Sequence, residues 1–395
     1  MKRVLVIGDG QLGLMLAEAA ARLGLWLDRV SPEHCLLFHG TGRQGTALPH
    51  DWSAADYDIV TAEREHLPAN ALMARLAGHP GFGAHAAITT LADRRSQKAL
   101  LDRLGIATAD WCLVESQADI ERFSRLHGGP VVVKSAQGGY DGRGQWRLDA
   151  ARAAAAPAAL YGRMIAERSV RFVRELSLVG ARAADGSCVF YPLVENRHRE
   201  GMLRFTLAPA RAARGYQRRA EQMLRRIMDE LGYTGVMAVE LFEEDGKLLV
   251  NELAPRVHNS GHWSQDGTTL DQFELHLRAL CDLPMPPPRT TGHTVMINLV
   301  GCAFDPAWLS VPHARLHWYG KEVRGGRKLG HINLQAPTLR ALLARLAALA
   351  PLLDREHALA VEEASEGLRP PPTTVYPQRS QRAHILRSGA ERVTG

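Results

Sequence analysis

One stretch constrains this chain more than any other: Val131-Val132-Val133-Lys134, followed by Gly138-Gly139-Tyr140-Asp141-Gly142-Arg143-Gly144. A β-branched run of this kind suits a buried strand, and it delivers one lysine to the strand end. The loop that follows has four glycines in seven positions. Glycine lets a backbone wrap closely around a polyanion with its N–H groups turned inward. The lysine can neutralise phosphate charge as a mobile point cation. No Gly-Lys-Ser/Thr run leads directly into a helix, so this is not the P-loop form. Two readings remain: a flap and lysine over a nucleoside triphosphate lying across a sheet, or a plain glycine-rich hairpin with a solvated lysine. Residues downstream must decide between them.

At 395 residues the chain has room for two or three domains with real cores. Its 46% hydrophobic and 23% charged content are ordinary for a soluble globular protein. A net charge of +6 is mild at this length and points to no nucleic-acid partner. The cysteines, Cys35, Cys112, Cys188, Cys281 and Cys302, are scattered without metal-ligand spacing, as in a reducing compartment. No apolar run approaches membrane-spanning length. The opening Met1-Lys2-Arg3-Val4-Leu5-Val6-Ile7 superficially resembles a signal peptide, but Gly8-Asp9-Gly10-Gln11 cuts it. It reads instead as a first strand and turn, and the expectation is a cytoplasmic protein without membrane or nucleic-acid partners.

Four regions follow from the patterning. Residues 1–93 alternate strand and helix, with strands at 4–7 and 59–61 and a helix at 12–23, which predicts a parallel, Rossmann-like sheet. Residues 94–287 open with a helix that stops at Gly105 and contain the lysine strand, the flap and a strand at 175–179. They also hold a helix at 217–231 whose Met223, Leu224, Ile227, Met228 and Leu231 form one core-facing stripe. Pro284-Met285-Pro286-Pro287-Pro288 makes a stiff boundary. Residues 288–366 form a smaller β-rich region, and residues 367–395 a Pro/Arg-rich tail.

Gly8-x-Gly10-x-x-Gly13 follows a strand and opens a helix, the context of a dinucleotide fingerprint. A nicotinamide-dependent oxidoreductase is therefore one alternative. The acidic residue expected about twenty positions on is poorly placed, since Asp28 and Glu33 fit the second strand badly. Any phosphate at a helix N-terminus would want the same loop.

The stronger signal is a hairpin. Two strands, 236–242 and 248–253, flank Glu243-Glu244-Asp245-Gly246-Lys247. A three-residue loop would set Glu240 opposite Glu252; a two-residue Asp-Gly loop would set Glu240 opposite Asn251. We expect the odd-length loop centred on Gly246. Facing carboxylates destabilise a sheet unless something neutralises them. A hard divalent cation such as Mg²⁺ does so and also binds triphosphate oxygens. The plain alternative is two solvent-facing glutamates on an edge hairpin.

Lys134, the 138–144 flap, Glu240 and Asn251-Glu252 together resemble the ATP-grasp ligases. Ala92-Asp93-Arg94 with Gln97-Lys98, the run from Asn251 to His262, and Trp318-Tyr319-Gly320-Lys321-Glu322 look like the N5-carboxyaminoimidazole ribonucleotide synthase family within them. The resemblance spans roughly residues 1–350. It implies an α/β (α+β overall) three-part architecture and a homodimer. It also implies ATP, Mg²⁺, bicarbonate and 5-aminoimidazole ribonucleotide as ligands, with carboxyphosphate formed on the way to purines.

Carried onto this chain, the resemblance has Arg94 and Lys134 contacting ATP phosphates beneath the flap formed by Gly138, Gly139, Tyr140, Asp141, Gly142, Arg143 and Gly144. Glu167, Arg168, Ser169 and Val170 would form the adenine hinge, Glu175 would hold the ribose, and His198 and Asn251 would lie beside the nucleotide. Glu240 and Glu252 would hold the metal. Arg256 and His258, with Lys134, are the candidate catalytic group, clamping bicarbonate and its phosphorylated form. Lys321, Arg324, Arg327 and Lys328 give four cations in eight residues for the ribonucleotide phosphate, apart from the metal hairpin. Gln11 and Leu12 would reuse the glycine loop for that phosphate, and Tyr140, Asp141, Arg143 and Asn259 would touch the same substrate. Arg64 separates Glu63 from Glu65, where relatives commonly carry an aliphatic residue, which leaves two glutamates, Glu63 and Glu65, to reach the substrate; Glu65 is taken as the contact. A non-catalytic nucleotide sensor would lack a metal ligand or the flap lysine, and neither is missing.

Overall fold

The computed structural model describes residues 2–49, 51–139, 143–211 and 213–369. Three sheets organise it. The first has strands Arg3–Ile7, Trp26–Ser31 and Ile59–Ala62 running parallel, as the alternating strand–helix pattern predicts. Two further strands, Leu36–His39 and Thr46–Ala47, return antiparallel and make the sheet mixed at that edge. The second sheet is small and antiparallel: Trp111–Val114, Met164–Arg168, Val131–Ser135 and Gln145–Leu148 in that order. Its own core gathers Val114, Ile120, Val131, Val133 and Met164, all fully buried, so it forms a separate lobe.

The third sheet is the backbone of the molecule. Its order is Lys247–Ala254, Gly235–Glu244, Arg174–Arg182, Val194–Arg199, Met202–Ala208, His293–Val300, Lys328–Ala336 and Ala314–Trp318, with Cys188–Phe190 beside Arg174–Arg182. The strands after residue 288 thus extend the central sheet through the Met202–Ala208 to His293–Val300 pairing. Helix Arg214–Glu230 lays Leu224, Ile227 and Met228 into a core shared with Leu176, Leu178 and Met237. Each such side chain contributes about 1.5–3 kcal/mol by burial. The same core takes in Leu5, Ile7 and Val60 of the first sheet and Leu100 and Leu101 of helix Arg94–Arg103, so the N-terminal part is fastened to the large sheet. Among the described residues no helix is long and apolar enough to cross a membrane.

The hairpin has a turn that differs from the expected one. Glu244 pairs with Lys247 and Leu241 with Val250, so the loop is only Asp245-Gly246. Both turn residues have positive φ, +49° and +73°. This is the two-residue turn whose twist matches the flanking strands. Continued without interruption, that register would set Glu240 against Asn251. A bulge intervenes between Glu240 and Leu241's pairings, and Glu240 pairs with Glu252. The odd-length loop is therefore corrected: the extra residue sits in the strand at Asn251, and the two carboxylates still face each other.

Candidate active site

The small lobe stands over the large sheet, and a cavity of about 920 Å³ lies between them. Lys134 reaches it from Val131–Ser135, and its Nζ lies 2.7 Å from Glu167 Oε2 on the neighbouring strand. It also donates to Asn251 Oδ1 at 3.3 Å. Lys98, in helix Arg94–Arg103, places its Nζ 2.9 Å from the other Glu167 oxygen. Burial raises the Glu167 carboxyl, but Lys134 and Lys98 outweigh it and bring it to about 2. The triad of two ammoniums and one carboxylate keeps a net positive charge at the cavity wall.

Asp93 caps helix Arg94–Arg103 through the Arg95 N–H, which fixes Arg94 at the first helical position. Arg94 donates to the carbonyls of Ser135 at 3.0 Å and Gly139 at 3.1 Å, and lies 3.7 Å from Glu252 Oε2. It ties the start of the flap to the carboxylate hairpin. Gly138 and Gly139 line the cavity, and the Gly144 carbonyl accepts from Ser135 N at 2.8 Å, closing the base of the loop where Arg143 rejoins it. Tyr140, Asp141 and Gly142 lie outside the described residues.

Glu240 and Glu252 share one face of the hairpin. Asn251 Nδ2 donates to Glu240 Oε2 at 3.4 Å, and His258 Nε2 lies 3.5 Å from Glu240 Oε1. Burial raises the Glu240 carboxyl, with Glu252 and Glu175 adding to it and His198 opposing. Two facing carboxylates, Glu240 partly withdrawn from water and Glu252 still 35% exposed, form a donor set suited to a hard cation. Among the described residues one group of three possible metal donors comes together elsewhere, Cys302, Asp354 and His357. There His357 Nε2 accepts the Val300 N–H at 2.9 Å and Nδ1 faces Asp354 at 2.7 Å, so both ring nitrogens are used by the fold.

Along residues 167–170 the side chains diverge. Glu167 turns to the lysines, while Arg168 forms a two-pronged pair with Glu244 at 3.0 and 2.7 Å. Ser169 and Val170 line the cavity beside Phe172, whose ring stacks on Phe242 with centroids 4.7 Å apart. Glu175 hydrogen-bonds His198 Nδ1. Burial works to lower that imidazole, but the Glu175 bond and the Glu240 charge raise it.

At the opposite end, Glu63 and Glu65 both point inward. Arg64 between them pairs with Glu33 at 2.6 Å and donates to the His66 carbonyl at 3.0 Å. The Glu63 carboxylate accepts from the backbone N–H groups of Gly10 and Gly13. A Cβ at Gly8, where φ is +126°, would come within 2.3 Å of the Glu63 side chain. The glycine loop is therefore filled by a carboxylate of the chain itself, which argues against a pyrophosphate there. Glu65 lies 2.9 Å from Arg256 Nη2 and is pushed up by burial, with Arg256 opposing. His258 accepts at Nδ1 from Ser260 and is driven well below its ordinary value by burial, then by Arg256 and Lys328. Asn259 lines the cavity with its buried side-chain Nδ2 and Oδ1 unpaired.

The basic loop spans more of the site than its spacing suggests. Lys321 donates to Gln11 Oε1, beside Leu12 and Glu63 at the glycine-loop end. Arg324 pairs with Glu322 at 2.6 Å, and Arg327 donates to the Glu322 carbonyl at 3.3 Å; neither lines the cavity. Lys328 does line it, and its charge acts on Glu240 and His258. The loop is thus not set apart from the metal-type hairpin, because strand Lys328–Ala336 belongs to the same sheet. Sequence reading missed Lys98 in the triad, the Phe172–Phe242 shelf, and the buried Ser177 and Asn196 behind His258. Of these only Ser177 leaves a local signal, a polar residue between Leu176 and Leu178 in an apolar strand.

Residues 99–273 match the family model of the ATP-grasp domain, and residues 294–345 that of the phosphoribosylaminoimidazole carboxylase C-terminal domain. The chain is 48% identical over 362 residues to an N5-carboxyaminoimidazole ribonucleotide synthase of Escherichia coli, covering 91% of this chain and 98% of that one. It is similar to the crystal structure of an N5-carboxyaminoimidazole ribonucleotide synthetase from Thermus thermophilus, with a TM-score of 0.78 and 38% identity over 89% of this chain and 99% of that one. The Aspergillus clavatus N5-carboxyaminoimidazole synthase, in complex with ADP and 5-aminoimidazole ribonucleotide, gives a TM-score of 0.76 at 29% identity, covering 90% and 99%.

Proposed function

This chain belongs to the N5-carboxyaminoimidazole ribonucleotide synthase family of ATP-grasp ligases, and on that premise we propose that it makes N5-carboxyaminoimidazole ribonucleotide from 5-aminoimidazole ribonucleotide, bicarbonate and ATP, a step of purine biosynthesis. The observation that carries this reading is a single cavity. It joins a cationic end at Lys134 and Arg94, a carboxylate pair at Glu240 and Glu252, and the Arg256–His258 segment.

Bicarbonate is a poor electrophile, and bringing it to a triphosphate sets anion against anion, so fixed cations must offset the charge. The net-positive Lys98–Glu167–Lys134 triad and Arg94 meet that need at the phosphate end. Glu240 and Glu252 are the residues that would hold Mg²⁺, and the reason is that their carboxylates face each other across the hairpin at the cavity wall. When bound, the ion supplies charge neutralisation at phosphate oxygens. A bicarbonate oxygen attacks the γ-phosphorus and the bond to ADP breaks, giving carboxyphosphate. The ribonucleotide amine then forms a C–N bond to the carboxyl carbon as the C–O bond to phosphate breaks, and the phosphate leaves with the proton that the amine gives up. Arg256 and His258 hold bicarbonate and the carboxyphosphate. The glycine-rich flap keeps water from an intermediate that hydrolyses readily. The Ser169–Val170 segment with the Phe172–Phe242 shelf suits a flat base, and Glu175, held by His198, suits ribose hydroxyls.

For the ribonucleotide, Gln11, Leu12 and Lys328 of the cavity wall, with Lys321 held at Gln11, would receive the phosphate end beside the glycine loop that Glu63 already fills. Glu65 and the unpaired amide of Asn259 are polar groups with capacity left for the substrate. A homodimer is the assembly expected, to be read by light scattering. The test of function is phosphate release from ATP together with transfer of labelled bicarbonate carbon to the ribonucleotide. Both should require all three substrates. Phosphate release indifferent to the ribonucleotide, with no label transferred, would overturn this reading.

A further inference from the structure

Behind His258 a file of buried polar side chains crosses three strands of the large sheet. Thr206, Asn196, Ser177 and Ser260 are 0%, 4%, 0% and 0% exposed. Thr206 Oγ1 lies 2.9 Å from Asn196 Oδ1, and Asn196 Nδ2 lies 2.9 Å from Ser177 Oγ. Ser177 Oγ is 2.7 Å from Ser260 Oγ, which is 2.8 Å from His258 Nδ1. At the other edge of the ring, Nε2 faces Glu240 Oε1 at 3.5 Å.

The direction of every bond in this file is forced from one end. The backbone N–H of Ser260 donates to His258 Nδ1 at 3.3 Å. A backbone N–H can only donate, so Nδ1 is an acceptor and carries no proton. The Ser260 hydroxyl must then also donate to Nδ1, which leaves its oxygen to accept from Ser177. Ser177, having given its proton to Ser260, must accept from the amide nitrogen of Asn196. Asn196 Oδ1 is left to accept from Thr206. With Nδ1 bare, the neutral imidazole holds its proton on Nε2, the nitrogen turned into the cavity.

We propose that Ser177 and Asn196 are positioning residues that, acting through Ser260, hold His258 as the Nε2–H tautomer, so that His258 works in the cavity as a hydrogen-bond donor to an anion. A ring so held cannot take a proton at Nε2, and its other nitrogen is closed off by Ser260. The role assigned is thus donation to bicarbonate or the acyl phosphate; this rests on the function proposed above. Ser177 also pairs directly with Glu240 across the strands, so the same row of the sheet sets the distance between the imidazole and the carboxylate.

Two measurements test this. In the ligand-free wild-type protein, ¹⁵N-labelled histidine spectra should give His258 a protonated Nε2 and a bare Nδ1. A proton on Nδ1 overturns the proposal whether or not the protein carboxylates the ribonucleotide. Absence of carboxylation with the Nε2–H signature present would instead count against the functional reading alone. Ser177→Ala and Asn196→Asp then separate positioning from mere support. The aspartate keeps the shape but has no N–H to give, so Ser177 must donate to it, the Ser260 hydroxyl turns to Ser177, and Nδ1 keeps only the Ser260 backbone N–H. Each variant should lower kcat about tenfold, the scale on which partners of a working imidazole act, with KM for ATP within about twofold and an altered His258 signature. A folded Ser177→Ala protein with wild-type kcat and an unchanged His258 spectrum refutes the assignment. Should Asn196→Asp fail to fold, Ser177→Ala and the wild-type spectrum still decide.

Discussion

Glu167→Gln keeps the shape of a buried side chain and removes the charge that holds two lysines together. The carboxylate oxygens lie 2.7 Å from Lys134 and 2.9 Å from Lys98, and both lysines are almost wholly buried. Burial pushes the Glu167 carboxyl up, yet Lys134 and Lys98 bring it from 4.5 to about 2. A fall from 4.5 to about 2 corresponds to roughly 3 kcal/mol. That agrees with the low end of the roughly 3–5 kcal/mol lost when one partner is cut from a buried pair. At Lys98 burial outweighs the shared carboxylate, and its ammonium is pushed down. One carboxylate gains two cations while each cation has only a share of one carboxylate, so the Glu167 figure is an upper bound for the triad. Because the folded value lies below the unfolded one, the stabilisation is whole above about pH 4.5 and is lost as pH falls toward about 2. Unfolding free energies from urea melts of wild type and Glu167→Gln, without nucleotide, should differ by roughly 2–3 kcal/mol near neutrality. The gap should narrow below about pH 4.5. ATP should narrow it too, by giving Lys134 a second anionic partner. Equal midpoints near neutrality, or a gap unchanged down to about pH 3, would refute the reasoning.

Glu240→Gln and Glu252→Gln should each abolish phosphate release while the apo protein keeps or slightly gains stability, since like-charge repulsion across the pair disappears; a loss of several kcal/mol in the apo midpoint would show that the pair is not repulsive. Lys134→Ala should weaken ATP binding and turnover together, by about 1.5–3 kcal/mol for a lost charged hydrogen bond, which titration calorimetry and kinetics can check. One glycine added after Gly246 should be tolerated, because a three-residue loop absorbs it and the strands keep their pairing; deleting Asn251 should leave the glutamates opposed but remove the amide between Lys134 and Glu240, raising KM for ATP. Lys321→Ala should raise KM for the ribonucleotide far more than for ATP, given its place at Gln11; the reverse pattern would assign the loop to the nucleotide.

Much of this molecule is legible in its sequence because it is locally decided. The Val131–Ser135 strand follows from a β-branched run, helix Arg94–Arg103 from the Asp93 cap, and the hairpin from its Asp-Gly turn. The run from Asn251 to His262 carries the family resemblance, and with it the composition of the site. What the sequence could not decide is where long-range partners meet. Local turn chemistry alone would have set Glu240 against Asn251, and a bulge at Asn251, whose side chain accepts from Lys134, sets it against Glu252. Glycine spacing at residues 8–13 announces an anion site but not that Glu63, from the end of another strand, already fills it. The triad joins a helix to two strands, and the file behind His258 joins three strands to a loop. No periodicity records such meetings, because sheet order brings those residues together and a polar residue in an apolar strand looks the same in sequence whether or not it has a partner.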